Sequence, residues 1–160
     1  MSSIETKTFM LILLISLSVS GHNLYAHCQV PCGIYDDHAR YLAMLEDSKT
    51  VEKATSQIIA LSDNIDSKRA SQSLAYEYNQ LVRWIANKES HAEKVILTIS
   101  SYFLTQRVKP KQEDYADRLK KHHAVILAAM KAKQTASSAA SRSLILAIQE
   151  LASYYPEHEH

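Results

Sequence analysis

The chain has 160 residues, including two glycines, three prolines and two cysteines, and 18 basic against 17 acidic side chains leave a net charge of +1. Glycine and proline at about 3% of the chain, against about 12% in average usage, exclude β-sandwiches, Gly-rich nucleotide-binding folds, collagen-like repeats and Pro/Gly linkers. With 46% hydrophobic and 22% charged residues the chain can build one domain with a real core, and its balanced charge shows no basic stripe for nucleic acid.

Residues 1–26 read as a cleavable secretory signal. Lys7 is a weak basic start, residues 9–19 form an apolar run, and a more polar stretch follows up to Ala26. The run is too short for a membrane-spanning helix, which needs about 20 apolar residues, so no stable anchor is expected after cleavage. Cleavage after Ala26 makes His27 the first mature residue. The exported product is expected in a periplasm or outside the cell, or else in an organelle.

Residues 27–35 read His27-Cys28-Gln29-Val30-Pro31-Cys32-Gly33-Ile34-Tyr35 and hold both cysteines of the chain. In an oxidising compartment Cys28 and Cys32 can close a short disulfide loop. A structural zinc site is poorly supported, because two pairs of Cys or His ligands are usual, and the spacing is not that of a redox CxxC motif. A third reading uses the new N-terminus. The His27 amine, the Cys28 amide nitrogen and two thiolates can converge on one ion, because Pro31 and Gly33 let the chain fold back tightly. Such a planar set of two nitrogens and two sulfurs suits Cu(II) or Ni(II), and the imidazole lies near an axial position.

The rest of the chain is helical in pattern. Asp36 is an N-cap with acidic Asp37 behind it. Tyr41, Met44, Val51 and Ile58 form a stripe interrupted by Ser48 and Thr55, and the polar residues 62–67 end this first helix. A second helix, residues 68–107, carries Leu74, Tyr78, Leu81, Ile85, Ala92, Val95, Ile99 and Tyr102. Its phase slips at residues 87–90, where a bend is expected, and Lys109-Pro110 stops it. A third helix carries Tyr115, Leu119, Ile126 and Ala129. Residues 134–143 are expected to hold a turn or loose junction. The fourth helix carries Leu144, Ile148, Leu151 and Tyr155 and ends before Pro156. Met44 and Met130 are expected in the core, Trp84 in packing or an interface, and one of His122 and His123 inside with the other in water. Arg40, Glu46, Asn87, Lys88 and Glu89 read as ordinary solvated residues. These elements predict an all-α, antiparallel four-helix bundle over residues 36–156, with a flexible tail at 157–160.

The motif H-C-x-x-P-C-G-x-Y, present as His27, Cys28, Pro31, Cys32, Gly33 and Tyr35, resembles the nickel hook of the nickel superoxide dismutases. The resemblance implies an enzyme that disproportionates superoxide into dioxygen and hydrogen peroxide through Ni(II)/Ni(III) cycling. It implies one nickel ion per subunit, bound by the His27 amine and imidazole, the Cys28 amide and the thiolates of Cys28 and Cys32. It further implies Tyr35 as the residue that gates the pocket and hydrogen-bonds within it, and subunits assembled as homohexamers. Bound metal keeps the thiols ionised, which answers the tension with an oxidising compartment. Some members hold the axial imidazole with a Glu–Arg pair that has no motif here; residues 87–89, where the stripe slips, are the nearest candidate for a partner. The competing readings are a secreted helical adaptor with a Cys loop and a metal carrier without turnover.

Overall fold

The computed structural model describes residues 36–67 and 74–157. Four α-helices account for most of them: α1 (Asp37–Ser67), α2 (Leu74–Leu97), α3 (Tyr115–Gln134) and α4 (Ser138–Gln149). A π-helical segment, Thr98–Arg107, continues α2 without a break, and a 3₁₀ turn, Ala152–Tyr154, follows α4. Helix α1 packs on α2 and α4, and α3 packs on the same two. Sequential neighbours run antiparallel: Asp37 meets Tyr102 while Asp47 meets His91, and Lys88 meets the end of α3. The all-α four-helix bundle is therefore the fold. No helix among the described residues is long and apolar enough to cross a membrane.

The start of α1 follows its sequence. The Asp36 carboxylate accepts the Ala39 N–H at 3.1 Å, satisfying one of the orphan donors of the first turn. The stripe of Tyr41, Met44, Val51 and Ile58 is buried, and Ser48 and Thr55 are buried with it. Their hydroxyls cost little there, since each donates to a carbonyl of its own helix, Ser48 to Leu45 and Thr55 to Val51, both at 2.8 Å. The polar residues 62–67 extend α1 rather than ending it.

Helix lengths explain where the expected stripes fail. At 1.5 Å per residue α1 spans about 46 Å and α4 about 18 Å, so the distal parts of α1 and α2 run past the short pair. Tyr78 (51% exposed) and Ile85 consequently lie in solvent, although they belong to the predicted stripe. The bend expected at residues 87–90 is absent, and α2 stays regular to Leu97. The change of phase comes ten residues later, in the π segment. There the Val108 N–H donates to the Phe103 carbonyl at 3.1 Å, a five-residue bond.

In α3 the inward stripe is His122, Val125, Ala129 and Ala132. Leu119 is exposed and Ile126 only partly buried. Residues 124–130 are apolar all round the helix, so spacing alone did not select the buried face. Met130, expected in the core, is 43% exposed. It lines a groove between α2 and α3 with Ile96, Glu89, Glu93, Lys133 and Gln134. The junction expected over residues 134–143 narrows to residues 135–137, because the Ser137 side chain accepts the Ala140 N–H at 3.4 Å and starts α4 early. Helix α4 also stops before Leu151 and Tyr155, which reach the core from the two ends of the 3₁₀ turn.

Lys88 departs furthest from its expectation. It is 4% exposed, not solvated. Its ammonium donates to the carbonyls of Ala132 (2.9 Å), Lys133 and Thr135 (3.3 Å). Those are end-of-helix acceptors of α3 without intrahelical partners, and a cation there also meets the negative end of the helix dipole.

Candidate metal centre

His27, Cys28, Cys32 and Tyr35 lie outside the described residues, as do the predicted leader and residues 158–160 of the tail. The chain leaves residue 35 directly into Asp36 and the first turn of α1, so the structure around that turn defines the support for the motif. Two other chain segments meet it, the π segment and the exit of α4, and the exit of α4 is tied in turn to α3.

The first contact is a closed ring of three polar groups. Arg107 Nε donates to both carboxylate oxygens of Asp37, at 2.8 and 2.6 Å. Arg107 Nη2 donates to the Tyr102 phenol oxygen at 2.8 Å, and the Tyr102 O–H donates to Asp37. Each group thereby satisfies the other two. Arg40, expected to be solvated, lies with its guanidinium 4.2 Å above the Tyr102 ring, a cation–π contact. Burial raises the Tyr102 pKa, and the hydrogen bond to Asp37 raises it further. Burial works against the Arg107 charge, but the hydrogen bond and charge of Asp37 outweigh it and hold the pKa above its ordinary value.

The second contact runs through histidines. His38 Nδ1 donates to the Tyr155 carbonyl at 2.9 Å, tying the second residue of α1 to the end of the chain. The Tyr155 O–H donates to His122 Nε2 at 2.6 Å, and His122 Nδ1 donates to the Arg118 carbonyl at 2.7 Å. The carbonyl can only accept, which places a proton on Nδ1, and burial favours the neutral ring that accepts the Tyr155 O–H at Nε2. Phe103 packs on the pair, with ring centroids 4.2 Å from Tyr155 and 5.9 Å from His122. Among the described residues Phe103 is the largest fully buried side chain; it lies four residues beyond buried Ile99, an ordinary helical step that the predicted stripe, running through Tyr102, passed over. Of the adjacent histidines, His122 is the buried one and His123 faces water.

Burial lowers the His122 pKa, with the Arg118 carbonyl acting in the opposite direction. Burial also raises the Tyr155 pKa well above its ordinary value. The unfolded chain therefore takes up the histidine proton at higher pH than the folded one. Stability from His122 is complete above its unfolded pKa of about 6.5 and falls as pH drops below it. For Tyr155 the loss begins as pH rises past about 10. Urea titrations from about pH 5 to 7.5 should show the acid loss in the wild type, with a smaller slope in His122→Asn. Equal slopes in the two proteins contradict the assignment.

Residues 87–89, the expected neighbours of the imidazole, lie roughly 20 Å along the bundle from Tyr102 within one chain. Lys88 is engaged on α3, and Glu89 is near Lys88 and Lys133. Glu46 is exposed, and Asn87 lines a small hollow with Gln80, Arg83 and half-buried Trp84.

Among the described residues no group of three or more His, Cys, Asp or Glu side chains is placed to hold a metal ion. Both of the chain's cysteines, Cys28 and Cys32, lie in the motif and are its candidate thiolate donors. With the amine and amide nitrogens beside them in sequence, their donor chemistry fits nickel.

No curated protein and no solved structure matches the chain significantly. Residues 22–159 match the family model for nickel-containing superoxide dismutase. A match over this much of the chain supports the enzyme over the adaptor and carrier readings, and implies a nickel ion as cofactor. The chain belongs to the nickel-containing superoxide dismutase family, whose reaction converts two superoxide ions and two protons into dioxygen and hydrogen peroxide.

Proposed function

We propose that removal of residues 1–26 frees His27 and creates the active enzyme. In this reading residues 27–35 form the nickel hook, residues 36–156 the bundle that carries it and residues 157–160 a short tail. The His27 amine, the Cys28 amide nitrogen and the Cys28 and Cys32 thiolates would hold the metal, with the His27 imidazole as a further ligand. Bound nickel supplies one-electron exchange with superoxide.

The residues around it divide the remaining tasks. Pro31 and Gly33 turn the chain so that donors four residues apart face one point. Deprotonated sulfurs and an ionised amide carry negative charge that favours a high metal oxidation state. Tyr35 stands at the end of the motif, where its phenol narrows access and offers a hydrogen bond to the small anionic substrate. The observation that carries this reading is the complete motif in a chain whose family is established, with both cysteines inside it. The leader supports export to a periplasm or the exterior, with an organelle as the other destination. The resemblance to the family supports a homohexamer without a membrane anchor.

The test compares protein beginning at His27 with the same protein carrying one extra N-terminal residue. The first should bind one nickel per chain and turn over superoxide. The second converts the amine into an amide and should lose more than about 100-fold in nickel affinity and activity, since even groups behind the ligands are worth 10–100-fold. Equal activity in the two proteins overturns the ligand set, and mass spectrometry of exported protein should find His27 first.

A further inference from the structure

We propose that Arg107 and Tyr102 are positioning residues for the metal centre, assembled by the π segment to lock the first turn of α1 through Asp37. This rests on the reading of residues 27–35 as the nickel hook. Asp37 lies five residues beyond Cys32 and two beyond Tyr35, so whatever fixes Asp37 fixes the point from which the hook emerges.

Helix starts fray because their first N–H groups lack intrahelical acceptors. The Asp36 cap satisfies one of them, but it is local and cannot orient the helix end against the rest of the bundle. The Asp37 ring does so, across sequence separations of 65 and 70 residues. A hook whose donors must converge within fractions of an ångström needs a rigid support of this kind.

The π register makes the ring possible. In an α-helix of 3.6 residues per turn, side chains five apart point about 140° away from each other. Five-residue bonding brings Tyr102 and Arg107 to nearly one face. The register is shown by the Val108-to-Phe103 bond and by Thr105 Oγ1, which donates to the Ser100 carbonyl at 2.9 Å. Both side chains then reach the same carboxylate, and the guanidinium spans from it to the phenol oxygen. A lysine keeps the charge but has no planar fork to hold both partners. The long π-helical stretch, with its weaker hydrogen-bond geometry, thus has a task at the end of the bundle that the hook enters.

The experiment uses protein beginning at His27 with Arg107→Lys and, as the milder change, Tyr102→Phe, which keeps the ring under Arg40. Hydrogen exchange of the amides at the start of α1 is read first without metal. Nickel affinity by chelator competition and the paramagnetic resonance spectrum of the oxidised nickel protein follow, with thermal midpoints as the fold control. Exchange in the first turn should accelerate about 10-fold or more while the rest of the bundle keeps its protection. Nickel affinity should fall about 10–100-fold, the range for groups that orient ligands, with an altered resonance spectrum. Unchanged exchange in Tyr102→Phe overturns the lock. Faster exchange with wild-type nickel affinity and spectrum overturns the positioning role. If the parent protein itself binds no nickel, the reading of the hook fails, and the exchange measurement still decides whether the lock exists.

Discussion

Cys28→Ser and Cys32→Ser are each expected to abolish superoxide turnover while leaving the helical bundle folded. A serine hydroxyl is not ionised at neutral pH and is a hard, neutral donor, whereas the proposed site depends on two soft anionic sulfurs. The loss should exceed the 10–100-fold typical of a group that only orients a ligand. The described helices and their core contain neither cysteine, so helical circular dichroism should stay at the wild-type level. His27→Ala separates the two roles of that residue. It keeps the amine, so nickel should remain bound, but it removes the imidazole proposed as a further ligand, so most turnover should be lost. Wild-type activity in His27→Ala refutes the imidazole's role, and wild-type activity in either serine variant refutes the thiolate set.

Lys88→Met is expected to produce a large loss of stability far from the hook. Methionine retains the apolar stem but leaves the carbonyls of Ala132, Lys133 and Thr135 without their shared donor. The buried Ala132 carbonyl left unpaired costs about 1–3 kcal/mol, and the part-buried carbonyls of Lys133 and Thr135, which water can reach, cost less. Some reorganisation is available, so a total of about 2–4 kcal/mol is the working figure. That corresponds to a fall in Tm on the order of 10 °C for a domain of this size. The separation of roughly 20 Å from Tyr102 means that turnover per loaded nickel, measured well below Tm, should stay near the wild-type value. Unchanged urea and thermal midpoints in Lys88→Met contradict the capping role, and Lys88→Arg should recover part of the loss.

These two outcomes bear on different layers of the molecule, and the layers were not equally legible in sequence. The α1 stripe could be read directly, because Tyr41, Met44, Val51 and Ile58 recur at helical intervals and are all buried. Helices α2 and α3 were less legible. Tyr78 and Ile85 keep the period of a buried stripe, but α3 and α4 are too short to cover them, and no local pattern encodes the length of a neighbour. In α3 an all-round apolar run hid the choice of Val125 over Ile126. Lys88 looked like any surface lysine, since its partners lie more than 40 residues away. The π segment was invisible for a related reason: its register is held with Asp37, which is distant in sequence.

The metal chemistry and the mounting of the proposed metal site divide along the same line. The proposed donors are legible in sequence alone, because a chelate built from His27, Cys28 and Cys32 needs only near neighbours and a tight turn at Pro31 and Gly33. Sequence also determined that the carrier is helical, through the scarcity of glycine and proline and the spacing of apolar residues. Tertiary structure alone decided which groups anchor the start of α1: Arg107 and Tyr102 on Asp37, and the exit of α4 on His38. Those contacts join residues 65 to 117 positions apart, and they form only when hydrophobic burial has already brought four helices together.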